Sequence, residues 1–151
     1  MQEPTTPDRN NLQRFLEAQA LVYDQVLREL RHHQKTTHWI WFIFPQLAGL
    51  GASPMSIRFA IESLDEATAY LAHPILGPRL IECTQLVLAA YPKPVLQILG
   101  TPDDLKFRSS MTLFAHTPDP NPIFTQAISI HFQGESDNLT LKLLGISAPT
   151  H

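Results

Sequence analysis

A chain of 151 residues, 44% hydrophobic and 17% charged, has the length of one domain. It carries enough apolar side chains to bury roughly 70% of the surface its unfolded form would expose, which excludes a disordered chain. Eleven Lys and Arg against fourteen Asp and Glu leave a formal charge of -3, which excludes a general attraction to nucleic acid or to an anionic membrane surface.

The opening MQEPTTPDRNN is polar and lacks the basic start and apolar run of a signal peptide, so residues 1–10 read as a flexible segment of a cytoplasmic protein. No apolar run is long enough to span a membrane. Leu12, Phe15, Leu16, Val22, Tyr23, Val26, Leu27 and Leu30 recur at helical spacing, with Gln19 as the one polar interruption. They predict an amphipathic helix over 11–32, capped by Asp8 or Asn10. RHHQK, 31–35, reads as its basic end, facing water and stabilised by the helix dipole. The aromatic stretch TTHWIWFIF, 36–44, is apolar on every side and fits a buried strand or a short buried helix; its helical neighbours and Pro45 favour the helix. QLAGLGASP, 46–54, reads as a loop.

SLDE, 63–66, is a capping box that opens a helix burying Ala67, Tyr70 and Leu71. HPILGP, 73–78, breaks it, and Pro78 suits the first turn of the next helix, whose core face uses Leu80, Ile81, Leu86, Val87 and Leu88 before Pro92 and Pro94 close it. The one cysteine, Cys83, lies in that apolar face and reads as a buried thiol. TPDDLKF, 101–107, starts another helix running to about Ala115, with Thr101 as cap, Pro102 at the first position and Asp103 and Asp104 on the positive end of the dipole. HTPDPNP, 116–122, is a rigid turn; a helix then runs from Ile123 to near Gly134, and Ser136 or Asp137 caps a last one carrying Leu139, Leu141, Leu143 and Leu144. The expected fold is a compact all-α domain over 11–145, of six or seven mostly short helices joined by Pro/Gly-rich turns, with a tail over 146–151.

No phosphate-binding glycine loop, dinucleotide fingerprint, zinc spacing or nucleophile elbow occurs, so no cofactor or metal is named by the sequence. Three polar groupings stand out instead. Lys35, His38 and Gln46 bracket the aromatic stretch, with Ser53 and Ser56 in the loop after it. On a helix, Lys35 and His38 would share a side and could meet an anion while Trp39 or Trp41 stacks a base. Most of these rings are more simply core, with one edge left for a ligand. His73, Arg79 and Glu82 form the second grouping, in which Arg79 and Glu82 are placed for a local ion pair. The third lies in DLKFRSSMTLF, 104–114, where Lys106, Ser109, Ser110 and Thr112 are polar in a helix expected to turn Leu105, Met111, Leu113 and Phe114 inward. Adjacent serines there need a structural or functional reason: close helix packing, a bond to a carbonyl one turn earlier, or a serine-lysine pair.

Four segments in this order, TTHWIWFIFPQLAGLGAS, SLDEATAYLAHPILGPRL, ILGTPDDLKFRSSMTLF and FQGESDNLT, resemble a helical family of uncharacterised bacterial and fungal proteins often labelled calpastatin-like. The resemblance spans about Leu12 to Leu144. It implies a compact all-α fold and supplies no function; the calpastatin label, which denotes a disordered inhibitor, does not suit this composition. The polar positions in the shared motifs are His38, Gln46, Ser53, His73, Arg79, Lys106, Ser109, Ser110, Thr112, Gly134 and Asp137. RHHQK departs from the Gly-bearing basic turn of the relatives.

Two functions fit. In one, an anionic or nucleotide-like small molecule binds where the aromatic segment, the GLGAS loop and the KFRSS helix meet. Lys35, Arg79 or Lys106 would meet a phosphate, Trp39 or Trp41 would stack, and His38 would serve as acid or base in a hydrolase or transferase. In the other, the polar groups hold helices together in a non-catalytic interaction module. Lining of one open cleft by His38, Arg79, Lys106 and Ser109 would distinguish the first from the second.

Overall fold

A computed structural model describes residues 11–146. The flexible segment expected at 1–10, its caps Asp8 and Asn10, and the tail from 146 onward lie outside them, apart from Ile146. Among the described residues there are ten helices, α1 (Gln13–Ala20), α2 (Tyr23–Arg31), α3 (Ile40–Ile43), α4 (Pro54–Arg58), α5 (Leu64–Ala72), α6 (Leu76–Ala89), α7 (Val95–Leu99), α8 (Asp103–Ala115), α9 (Pro122–Phe132) and α10 (Asn138–Leu143). The fold is all-α, as the pattern predicts. The count exceeds six or seven because the first expected helix is split and two five-residue helices, α4 and α7, arise where the pattern predicts none.

The split falls at Leu21 and Val22. Val22 leaves the helical region, at φ -129°, and its amide bonds the Gln19 carbonyl at 3.1 Å. The buried Gln19 side chain anchors the break. Its Nε2 donates to the Phe42 carbonyl at 2.7 Å and to the Tyr70 hydroxyl at 3.2 Å, so the polar interruption of the apolar face is a tie between α1, α3 and α5. Arg79 adds α6 by donating to Gln19 Oε1 at 3.2 Å.

The aromatic stretch is helical for one turn only. Glu29 on α2 takes the amides of Thr36 and Thr37 at 2.6 and 2.9 Å, the Thr37 hydroxyl at 2.5 Å and Trp39 Nε1 at 3.0 Å. These bonds hold 36–39 out of a helix, against the end of α2, and α3 begins only after them. Trp39, Phe42 and Phe44 are buried, while Trp41 keeps an exposed edge.

Rings continue the core in two chains. Phe59, Phe15, Tyr70, Phe114 and Phe124 run across one side, with the T-shaped Phe15–Tyr70 pair at 5.1 Å; Trp39, Phe44, Phe107 and Phe132 run across the other, with Phe44–Phe107 at 4.8 Å. α8 crosses both and packs on α3, α5, α7, α9 and α10. Nearly all of its sides are therefore covered, including Ser109, Ser110 and Thr112. Ser109 and Thr112 return their hydroxyls to the carbonyls of Leu105 and Arg108, the usual way a small polar residue is satisfied inside a helix. Leu105, expected inside, is instead 53% exposed.

The start signals are mixed. Ser63 accepts from the Glu66 amide at 3.1 Å, but the Glu66 carboxylate accepts from Glu62 rather than from Ser63. Asp137 caps α10 through Thr140. Thr101 does not cap α8; Pro102 occupies that position without a side-chain bond. The segments before and after α4 meet in an isolated parallel bridge, Leu47 to Ile61. It closes the 46–61 segment into a loop that stands beside α8 and α10.

Candidate functional site

A cleft of about 250 Å³ opens where this loop meets α8 and α10, lined by Gln46, Leu50, Gly51, Ser56 and, from the other side, Pro102, Leu105, Lys106, Ser109, Asp137 and Leu139. A smaller hollow of about 90 Å³ continues under the loop and shares Gln46, Leu50, Gly51 and Ser56 with it. Ser53 caps α4 by accepting from the Ser56 amide at 3.1 Å and donates its hydroxyl to Ser56 Oγ at 2.9 Å. That fixes Ser56 at the cleft wall. Gly51 is required for the close approach, since a Cβ there would stand 2.6 Å from Ser56 Oγ and 2.8 Å from its Cβ.

Lys106 supplies the positive charge. Its ammonium lies 5.1 Å from the centroid of the Trp41 ring, and among the described residues no carboxylate lies within 4 Å of it, whereas Lys35, Arg14 and Arg108 are each ion-paired. An ammonium over an indole face is held by the ring quadrupole while its donors remain open. Trp41 Nε1 is buried without a hydrogen-bond partner, as are Ser110 Oγ and Asp104 Oδ1. Asp137 supplies the negative charge: Oδ2 takes both bonds from Thr140, and Oδ1 has no partner among the described residues.

Of the residues singled out from the sequence, Gln46, Lys106 and Ser109 line this cleft, Trp41 stands behind Lys106, and Ser53 holds its wall. The others lie elsewhere. Lys35 is not at a solvated helix end: its Nζ pairs with Asp103 at 2.8 Å beneath little solvent and sits over the Trp39 ring. Because 35–39 is not helical, His38 does not share its side; it is exposed and outside the cleft. Trp39 is core, bonded to Glu29. His73 accepts from the amides of Ile75 and Leu76 through Nδ1, closing the turn into α6. The expected Arg79–Glu82 pair does not form, since Arg79 turns to Gln19 and the Tyr23 ring at 4.4 Å and Glu82 accepts from the Tyr23 hydroxyl at 2.6 Å. Ser110 is fully buried. No hydrogen bond links Lys106 to either serine of the expected pair.

Burial and hydrogen bonding shift a few titrating groups outside the cleft. Burial alone would raise the Glu29 carboxyl, but the Thr37 hydroxyl, the amides of Thr36 and Thr37 and the Gln25 amide outweigh it and hold the group at about 2. Burial pushes the Cys83 thiol up to about 12 against the opposing Tyr23 contact; it also raises Tyr23 and Tyr70 and lowers His131. Among the described residues, no group of three or more His, Cys, Asp or Glu is placed to hold a metal ion, and no helix is long and apolar enough to cross a membrane.

Sequence reasoning missed the apolar rim. Leu105 and Leu139 are each about half exposed and, with Leu50, face the cleft from three different elements. Helical spacing marks such leucines as core, and nothing local reveals that they end at a cleft instead. Gln19 did leave a signal, as the one polar residue on an otherwise apolar face; Glu29 was not singled out by the helical spacing.

No curated protein matches the chain. Its fold is closely similar to the crystal structure of the conserved hypothetical protein Rv1873 from Mycobacterium tuberculosis, at 49% sequence identity and a TM-score of 0.90, over 93% of this chain and 100% of that one. The family model described as "Protein of unknown function (DUF1810)" matches residues 9–144. The chain belongs to this DUF1810 family.

Proposed function

We propose that the cleft beside α8 binds a small anionic, nucleotide-like molecule. The observation that carries this reading is Lys106, an ammonium without a carboxylate partner, held on the Trp41 ring at the wall of a cleft. Ser56, Ser109 and Gln46 add neutral polar groups around it, and the exposed leucines give a flat apolar surface for a base. A cleft of about 250 Å³ falls just under the roughly 300–1,000 Å³ of drug-sized sites, which favours a mononucleotide or smaller over a dinucleotide. The reading is one of binding. His38 stands outside the cleft, and the one carboxylate in its lining, Asp137, is half committed to capping α10, so the hydrolase or transferase version has no obvious base. We place this binding in the cytoplasm, where a lone buried thiol stays reduced.

Thermal unfolding with inorganic phosphate, mononucleotides and sugar phosphates tests the reading. A ligand at about 100 times its dissociation constant adds roughly 2.7 kcal/mol, a rise in melting temperature that Lys106→Ala should abolish. The interaction-module reading is favoured by the internal bonding of Lys35, His73 and Arg79. It gains if no compound shifts the wild-type melt.

A further inference from the structure

Two opposite charges line the cleft without meeting: Lys106 and Asp137 both belong to its lining, and no ion pair joins them among the described residues, whereas Lys35–Asp103, Arg14–Glu66 and Arg108–Glu135 do pair. Each keeps a polar group without a hydrogen-bond or ion-pair partner among the described residues. For Lys106 this is the ammonium; for Asp137 it is Oδ1, since Oδ2 is occupied by the Thr140 amide and hydroxyl at 3.0 and 2.5 Å. A purely anionic ligand would be repelled at the Asp137 end.

From this we infer that the ligand is a phosphate ester of a sugar with neighbouring hydroxyls, its phosphate on Lys106 and its hydroxyls donating to Asp137, which sets specificity; the inference rests on the cleft being an anion site. The two Thr140 bonds occupy Oδ2, which leaves Oδ1 to accept from a sugar hydroxyl. Ser56 and Gln46 can donate to or accept from the remaining sugar hydroxyls, and Ser109, whose proton goes to the Leu105 carbonyl, can accept from them. Ribose phosphates and nucleoside monophosphates share this chemistry, and the exposed Leu105 and Leu139 would distinguish them by covering a base.

The test is calorimetric titration of the whole protein with propyl phosphate, ribose 5-phosphate, adenosine 5′-monophosphate and phosphoethanolamine, for wild type, Asp137→Asn and Asp137→Ser. Asn and Ser both serve as helix caps, so α10 is retained while the carboxylate is removed, and a thermal melt confirms it. A site that hydrogen-bonds hydroxyls discriminates strongly against ligands lacking them. Ribose 5-phosphate or the nucleotide should bind wild type at least about tenfold more tightly than propyl phosphate, an advantage lost in both variants while propyl phosphate affinity stays within about twofold. Tighter nucleotide than sugar phosphate assigns the site to nucleotides; equal affinity assigns it to sugar phosphates. Equal binding of all three phosphates, or an advantage surviving in both variants, overturns the inference and leaves the anion site standing. Preference for phosphoethanolamine overturns it in favour of an ammonium ligand. Binding of none overturns the anion site and the inference together.

Discussion

Glu29 is 4% exposed yet ionised, because its five donors are worth more than the hydration it gives up. Its native value, about 2, lies below the ordinary 4.5, so it favours the folded state fully above about pH 5. That contribution, on the order of 3 kcal/mol, is lost as the pH falls from there toward 2. Urea unfolding between pH 6 and 3 should show wild type weakening steeply, and Glu29→Gln starting less stable but varying less. Parallel pH dependence in the two proteins would remove Glu29 from this role. Cys83 behaves oppositely: burial keeps the thiol protonated at pH 8, so labelling by a thiol reagent should proceed only at the rate of unfolding. Immediate labelling of the native protein would show the α6 face to be open.

The helices of this chain are short, and their limits are set by long-range bonds more than by local propensity. Start and stop residues were legible where the signal is local, as at Ser63, Asp137 and the Gln133–Gly134 pair with its positive φ values of 54° and 81°. They were not legible where a distant group intervenes: Glu29 unwinds 36–39, and the tie from Gln19 fixes the break between α1 and α2. The junction of α5 and α6 offers a direct check. Gly77 lies so close to α5 that a Cβ would stand 2.1 Å from the Leu71 carbonyl oxygen. Gly77→Ala gains up to about 1 kcal/mol of helix propensity, but the backbone must move apart. The net effect should be a loss of roughly 1–3 kcal/mol in denaturant unfolding, as for an overpacked core. A more stable variant would contradict this packing.

At the scale of the whole molecule, the fold class was written in the periodicity, whereas the cleft was not. Sequence neighbourhood grouped Lys35 with His38 and Arg79 with Glu82. The fold instead sends Lys35 to Asp103 and Arg79 to Gln19, and assembles the cleft from Gln46, Ser56, Lys106 and Asp137, which no spacing rule connects. Only the pair on α8, Lys106 and Ser109, was visible as a unit. The loop wall depends on Gly51, and Gly51→Ala should displace Ser56 and weaken ligand binding with little change in the melting temperature. The central claim is that Lys106 on Trp41 receives an anion. It is tested most directly by tryptophan fluorescence during titration with adenosine 5′-monophosphate, in wild type and in Lys106→Met, which keeps the apolar stem over the ring. The account expects a saturable change in wild type and a midpoint raised at least about tenfold in the variant, the loss of roughly 1.4 kcal/mol or more. Equal midpoints in the two proteins, or no saturable change in wild type, would contradict it.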